Sequence, residues 1–273
     1  VPFPLAHPAA VLPLLRAPLV ASALVAGALS PDLLYVDVAY RFATRQINGN
    51  FTLTLTHQLS SALWLDPLIA LLMLLLFHLV LRRPLLALAP PALAGRVPPI
   101  ARPRIPGVLQ LMWIVLSTIV GALTHVLWDS FTHYDGYFVR HWSLLRHDLT
   151  PAWEVNRVLQ YVSSVGGILL IASWLYFWWR RTTPAPATAD LPTPARYAVL
   201  VAAVALGAAG AVIEVAREDG PLAGEAVLRL GLTGFATGAL VGLVWYVVIW
   251  HALRLRRLRT SSDVSRAERV STL

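Results

Sequence analysis

The chain has no cysteine and no lysine, and charged residues fill only 13% of its 273 positions. The missing cysteines exclude a disulfide framework and any thiolate metal ligand. The missing lysines leave all 22 basic side chains as arginine, the bias of a high-G+C genome. The first apolar stretch has no positively charged segment ahead of it, so no cleavable signal peptide is expected. Low charge with 57% hydrophobic residues excludes an ordinary soluble domain.

Long apolar runs are what the chain has instead. Five approach the length that crosses a hydrocarbon core of roughly 30 Å. They cover residues 66–81 (starting as early as Ala62), 105–128, 158–179, 197–216 and 227–250. A sixth stretch, 8–29, is interrupted by Pro13, Arg16 and Pro18. Proline breaks or kinks a helix, so this stretch reads as a short helical hairpin. The expected fold is an all-α integral membrane protein of about five transmembrane helices plus that hairpin. Residues 1–182 form one domain with the hairpin and three spans. A Pro/Ala/Thr-rich linker follows at 183–196, then a two-span hairpin at 197–259 and a disordered cytoplasmic tail at 260–273.

Arginines set the orientation. Arg82, Arg83, Arg96, Arg102 and Arg104 follow the first span, Arg180, Arg181 and Arg196 the third, and Arg254, Arg256, Arg257 and Arg259 the fifth. These three segments share one side if the spans alternate, and the positive-inside rule makes that side cytoplasmic. The net charge of +8 is thereby assigned to cytoplasmic loops of a bacterial inner-membrane protein, not to nucleic-acid binding.

Most histidines and many acids fall on the opposite, extracytoplasmic side: His7, Asp32, Asp37, His57, His133, Asp135, His141, His147 and Glu154. The end of the second span, GALTHVLWDSFTHYDG, adds His125 and Asp129. Residues four apart share a helix face, so an imidazole nitrogen and a carboxylate oxygen converge there. Ionisable groups in or beside a membrane span point to function, and a metal or acid/base centre accounts for the segregation. Asp32 competes with an N-cap role. His57 has Thr56 and Ser60 beside it as hydrogen-bonding support. His133 follows Asp129 by four residues but precedes Asp135-Gly136, a helix stop. His78 reads as a packed or snorkelling histidine and His251 as an interfacial one.

FPLAHPAAVLPL, ALVAGALSPDLLY, LTHQL and GALTHVLWDSFTHYDG together resemble a bacterial membrane family, domain of unknown function 4184, over roughly residues 2–182. That family is similar to membrane-bound metal-dependent hydrolases and, more distantly, to zinc-dependent phospholipase C. The resemblance implies His7, Asp32, His57, His125 and Asp129 as metal ligands, with His133 as a sixth ligand or a supporting residue. It implies one or two zinc ions, with manganese or iron as substitutes. The phospholipases carry a late His/Glu pair that this chain lacks, with Glu154 the nearest acid. The implied activity is hydrolysis of an ester or phosphoester in a lipid or envelope molecule at the outer face. Asp32 or Asp37 would orient or deprotonate water, and Arg140, Arg146 and Arg157 would clamp a phosphate. A non-catalytic metal-binding protein, or a transporter, would carry a similar cluster. The Gly-rich fourth and fifth spans suit close helix packing, within the bundle or in a homodimer.

Overall fold

The computed structural model describes residues 3–49, 52–98, 106–151, 153–186, 191–218 and 224–271, and gives the backbone alone at 37, 38, 41, 53, 225 and 258–271. The fold is helical. Six helices organise it: α1 (Ala21–Leu29), α2 (Leu65–Leu88), α3 (Val108–Thr132), α4 (Val155–Arg181), α5 (Thr193–Ala216) and α6 (Gly224–Ser271). Among the described residues, five helical stretches are long and apolar enough to cross a membrane. They carry exposed apolar side chains such as Leu72, Leu169, Val201 and Trp245, as expected where lipid is the solvent. This is a multi-pass helical membrane protein.

The N-terminal stretch forms the expected hairpin. A 3-10 helix, Pro4–Leu14, carries Pro8 and Pro13 and packs against α1 and α4. Proline has no amide hydrogen to give an α-helical ladder, and the tighter 3-10 path accommodates two of them in one short rod.

The chain divides into two compact units, Val1–Phe77 with Pro99–Thr183, and His78–Pro98 with Pro184–Leu273. In the first unit α1 lies along α3. A Cβ on Gly27 would collide with the Thr118 backbone, and one on Gly121 with the Leu24 backbone. Glycine here lets the two backbones touch. Val11, Leu24 and Ala28 are buried together at this junction, and Ala62, Ala122 and Val126 form a second apolar cluster. The contact holds the C-terminal end of α1, and the 3-10 turn Ser30–Tyr35 after it, against the lower half of α3.

The second unit pairs α5 with α6, where Gly210 and Gly234 sit backbone to backbone. The part of α2 that belongs to this unit contains Pro84, preceded by a π-helical turn at Phe77–Leu81. Pro84 cannot donate to the carbonyl of Val80, four residues earlier. His251 Nε2 donates to that carbonyl instead, at 2.9 Å, and Tyr246 Oη donates to the carbonyl of Pro84 at 2.8 Å.

Several boundaries differ from the sequence expectation. The helix expected to stop near Leu81 runs to Leu88, because side chains of α6 satisfy what proline leaves open. The helix expected to end at Trp128 reaches Thr132, which places His125 and Asp129 inside it. Helical backbone continues from α6 through to Ser271. A two-stranded antiparallel pair, β1 (Asp148–Thr150) and β2 (Trp153–Glu154), was not anticipated. Part of the Pro/Ala/Thr linker, 187–190, lies outside the described residues.

Candidate metal centre

Four elements of the first unit converge on one cluster of three histidines and two aspartates, with a fourth histidine at its edge. The N-terminal 3-10 helix supplies His7, the turn after α1 supplies Asp32, and the short helix Leu53–Thr56 leads into His57. Successive turns of α3 supply His125 and Asp129, and His133 caps its C-terminus. His7 and His125 are 0% exposed, Asp32 5% and Asp129 4%. Burial at this level demands partners for every charge.

The donor atoms crowd one another. Asp129 Oδ2 lies 3.2 Å from His125 Nε2, 3.3 Å from His57 Nε2 and 3.3 Å from His133 Nδ1. Asp32 Oδ1 lies 3.2 Å from His57 Nε2 and 3.7 Å from His125 Nε2. Atoms placed tetrahedrally about 2.1 Å from one ion lie about 3.4 Å apart. The observed separations match that spacing. Despite these approaches, both oxygens of Asp32, His125 Nε2, Asp129 Oδ2 and His133 Nδ1 make no hydrogen bond among the described residues. Buried donors and acceptors rarely go unsatisfied, and these point at a common centre. The cluster could hold a metal ion through His7, His125 and Asp129, through Asp32, His57 and His125, or through His57, Asp129 and His133.

Hydrogen bonds behind the cluster fix which nitrogen faces it. His125 Nδ1 lies 2.8 Å from the Ala28 carbonyl. A carbonyl only accepts, so Nδ1 carries the proton and Nε2 keeps its lone pair for the centre. Thr56 Oγ1 donates to the Pro31 carbonyl at 2.8 Å and lies 3.2 Å from His57 Nδ1. With its hydrogen committed to Pro31, the hydroxyl accepts from His57 Nδ1–H, which again turns Nε2 inward. His7 follows the same rule: its Nδ1 lies 3.3 Å from the Pro4 carbonyl, which only accepts, so Nδ1 carries the proton, while Nε2 lies 3.0 Å from Asp129 Oδ1 and the ring stacks on His125 with centroids 3.7 Å apart. His7 Nε2 therefore also turns toward the cluster, beside Asp129 Oδ1.

His57 shows the electrostatic balance of this arrangement. Burial alone would lower the imidazole, but the carboxylates of Asp129 and Asp32, 3.3 and 3.2 Å from its Nε2, override burial and push it up to about 10. In the protein without a metal, the two carboxylates keep that proton. The His57 and His133 side chains, 17% and 18% exposed, form the open edge of the cluster.

The other sequence candidates scatter. Arg146 Nε donates to the Val139 carbonyl at 2.9 Å, and its guanidinium lies over the Tyr134 ring. Arg157 lies over Trp153, and Arg140 is exposed on the short helix Tyr137–His141. His141 bonds its own helix at Tyr137, and Glu154 accepts from Asn156. The side chain of Asp37 lies outside the described residues. Ser60 is exposed, so of the two hydroxyls expected beside His57 the structure uses Thr56. Of the two readings of His78, packed or snorkelling, its exposed side chain fits the second.

Two residues escaped the sequence reading. Asp66, in the first turn of α2, is 0% exposed, and neither carboxylate oxygen has a hydrogen-bond partner among the described residues. An acid in a helix's first turn is ordinary, so nothing in the sequence separates it from a surface residue. Tyr35 ends the turn that carries Asp32. Partial burial, then the charges of Asp32, Asp129 and Asp135, raise its phenol above the ordinary value, so it stays an O–H donor.

No curated protein and no solved structure matches the chain. The family model described as Domain of unknown function (DUF4184) matches residues 1–248, which spans every residue of this cluster. The chain belongs to that family.

Proposed function

We propose that this protein is a membrane-bound metal-dependent hydrolase that cleaves an ester or phosphoester bond of a lipid or envelope molecule. The observation that carries the reading is the inward convergence of Asp32 Oδ1, His57 Nε2, His125 Nε2 and Asp129 Oδ2 at ligand-to-ligand spacing, with His57 and His133 partly exposed at one edge. Mixed imidazole and carboxylate donors suit zinc, with manganese or iron as substitutes. A zinc ion there would act as a Lewis acid and bring bound water to a pKa of about 7.

The residues divide the work. His7, His57, His125, Asp32 and Asp129 bind one or two ions; His133 adds a donor at the open edge. The Pro4 and Ala28 carbonyls and Thr56 orient those donors. Asp32 Oδ2, which has no hydrogen bond of its own, is placed to accept a proton from water. Arg140 and Arg157, exposed near the loop that follows α3, would meet a phosphate or a lipid headgroup. Arg146 spends its Nε on its own loop and contributes less. A structural metal site would be closed on all sides; the exposed edge at His57 and His133 favours catalysis.

The arginine distribution supports an extracytoplasmic active site in a bacterial cytoplasmic membrane. The zinc-dependent phospholipase C resemblance supports the same reaction class. The test is metal content and turnover of the purified full chain. Wild type should carry zinc and release nitrophenol from a p-nitrophenyl ester or phosphodiester. His125→Ala and Asp129→Ala should lose both. Unchanged metal stoichiometry in both variants would sink the proposal.

A further inference from the structure

We infer that Ser164 and Gly167, on one face of α4, are positioning residues that aim His7 at the metal cluster. The inference deepens the proposed function and rests on that reading for the metal. His7 follows the short segment 3–6, and α4 grips that segment at both ends. The Phe3 amide donates to Ser164 Oγ at 2.9 Å. The serine hydrogen is committed to the Gln160 carbonyl at 2.7 Å, so the serine oxygen is free to accept. Residues three apart share a helix face, and Gly167 on that face is buried against Ala6. A Cβ on Gly167 would come within 3.0 Å of the Ala6 carbonyl oxygen and Cβ. Between the two grips lies Pro4, whose carbonyl is 3.3 Å from His7 Nδ1.

The N-terminal 3-10 helix does not fix this geometry by itself, because Pro4, Pro8 and Pro13 give its ladder no amide hydrogen. Inside the cluster, His125 stacks on the His7 ring with centroids 3.7 Å apart and Asp129 Oδ1 lies 3.0 Å from Nε2. Neither contact selects a tautomer, since a carboxylate oxygen accepts from an Nε2–H as readily as it shares an ion with a bare Nε2. The Pro4 carbonyl does select, because it accepts only from Nδ1–H. If segment 3–6 drifts from α4, that carbonyl leaves Nδ1. The proton then moves to Nε2, and the nitrogen is lost to a hydrogen bond with Asp129. The bond between Phe3 and Ser164 is exposed, so water can satisfy the Phe3 amide but cannot hold the segment in place. Ser164 therefore acts on metal affinity more than on stability, and it acts through His7. A helix that carries no residue of the cluster thus sets one of its nitrogens.

The test measures Zn2+ affinity of the chelator-stripped full chain in detergent, against a competing chelator, beside its thermal midpoint without metal. Ser164→Ala should weaken zinc binding about tenfold at an unchanged midpoint. Ser164→Thr keeps the hydroxyl and should restore wild-type affinity. Gly167→Ala should lower both affinity and midpoint, because the new methyl meets the Ala6 backbone. His7→Ala should weaken zinc more than Ser164→Ala does. Adding Ser164→Ala to His7→Ala should change nothing further, because residues that act through one side chain are not additive. If His7→Ala does not fold, the threonine rescue decides. Ser164→Ala with wild-type zinc affinity overturns the inference and leaves the proposed function standing. So does a loss that persists in full in the His7→Ala background, or an equal loss in the threonine variant. A wild type that takes up no zinc overturns the proposed function and this inference with it.

Discussion

His125 Nδ1 donates to the Ala28 carbonyl at 2.8 Å, across the contact where Gly27 and Gly121 bring α1 and α3 backbone to backbone. One helix thus sets the tautomer of a ligand on its neighbour, and the separation of two helices controls a nitrogen lone pair. Gly121→Ala should expose this dependence. The new methyl meets the Leu24 backbone, which cannot move as a side chain tip can. Overpacking of this kind costs about 1–3 kcal/mol, and separating the helices draws Ala28 away from His125. The expected result is a lower thermal midpoint together with weaker zinc binding, although residue 121 touches no ligand. A variant with lower stability and unchanged zinc affinity would show that the helix contact and the ligand are independent.

Thr56 connects two ligands. Its hydroxyl donates to Pro31, next to Asp32, and accepts from His57. Thr56→Val keeps shape and volume but removes both bonds. Zinc affinity should fall about 10–100-fold, the usual cost of losing such a supporting partner. Thr56→Ser should restore most of it, since the serine hydroxyl can make the same two bonds. Zinc titration with a competing chelator separates the outcomes; equal losses in valine and serine variants would mean that the methyl, not the hydroxyl, matters.

The pH dependence follows from His57. Its ordinary value is 6.5 and the carboxylates raise it to about 10 in the folded protein. A raised histidine adds stability that is fully present below 6.5 and is lost as pH climbs through about 10. The metal-stripped protein should therefore lose thermal stability steadily between those values. Zinc replaces the His57 proton, so zinc binding should release protons and tighten over the same interval. Thermal melts of stripped and loaded protein across pH check both signs. His57→Gln should flatten the slope of the stripped protein; a slope that survives the substitution assigns the effect elsewhere.

The spans and the His125–Asp129 pair were legible in the sequence because both depend on local periodicity: apolar length for a span, a four-residue interval for a shared face. His133 illustrates the limit. Its interval from Asp129 was visible, and so was the stop at Asp135-Gly136, but whether the side chain still pointed inward depended on where α3 ended. It ends at Thr132, one turn beyond the apolar run, because DSFT keeps the helical ladder after hydrophobicity fades. Asp32 and His57 needed the family pattern, since their convergence is a tertiary fact. Asp66 was invisible because burial, not residue type, makes it unusual. The pairing of Asp148–Thr150 with Trp153–Glu154 was hidden by length, as strands this short carry no alternation to read.

His251 supplies the last prediction, in the unit that does not contain the cluster. The sequence reading made it an interfacial side chain. In the structure it donates to the Val80 carbonyl that Pro84 leaves without a partner. Replacing it by leucine keeps the volume and removes the donor. A carbonyl left without a partner costs up to about 1–3 kcal/mol when buried, and this one is partly buried. His251→Leu should lower the thermal midpoint while zinc content stays at the wild-type level, because the ligands all belong to the other compact unit. Pro84→Ala in the same chain should recover part of the loss, since alanine returns an amide hydrogen four residues after Val80. Without that recovery, the His251 bond would not be the compensation for Pro84.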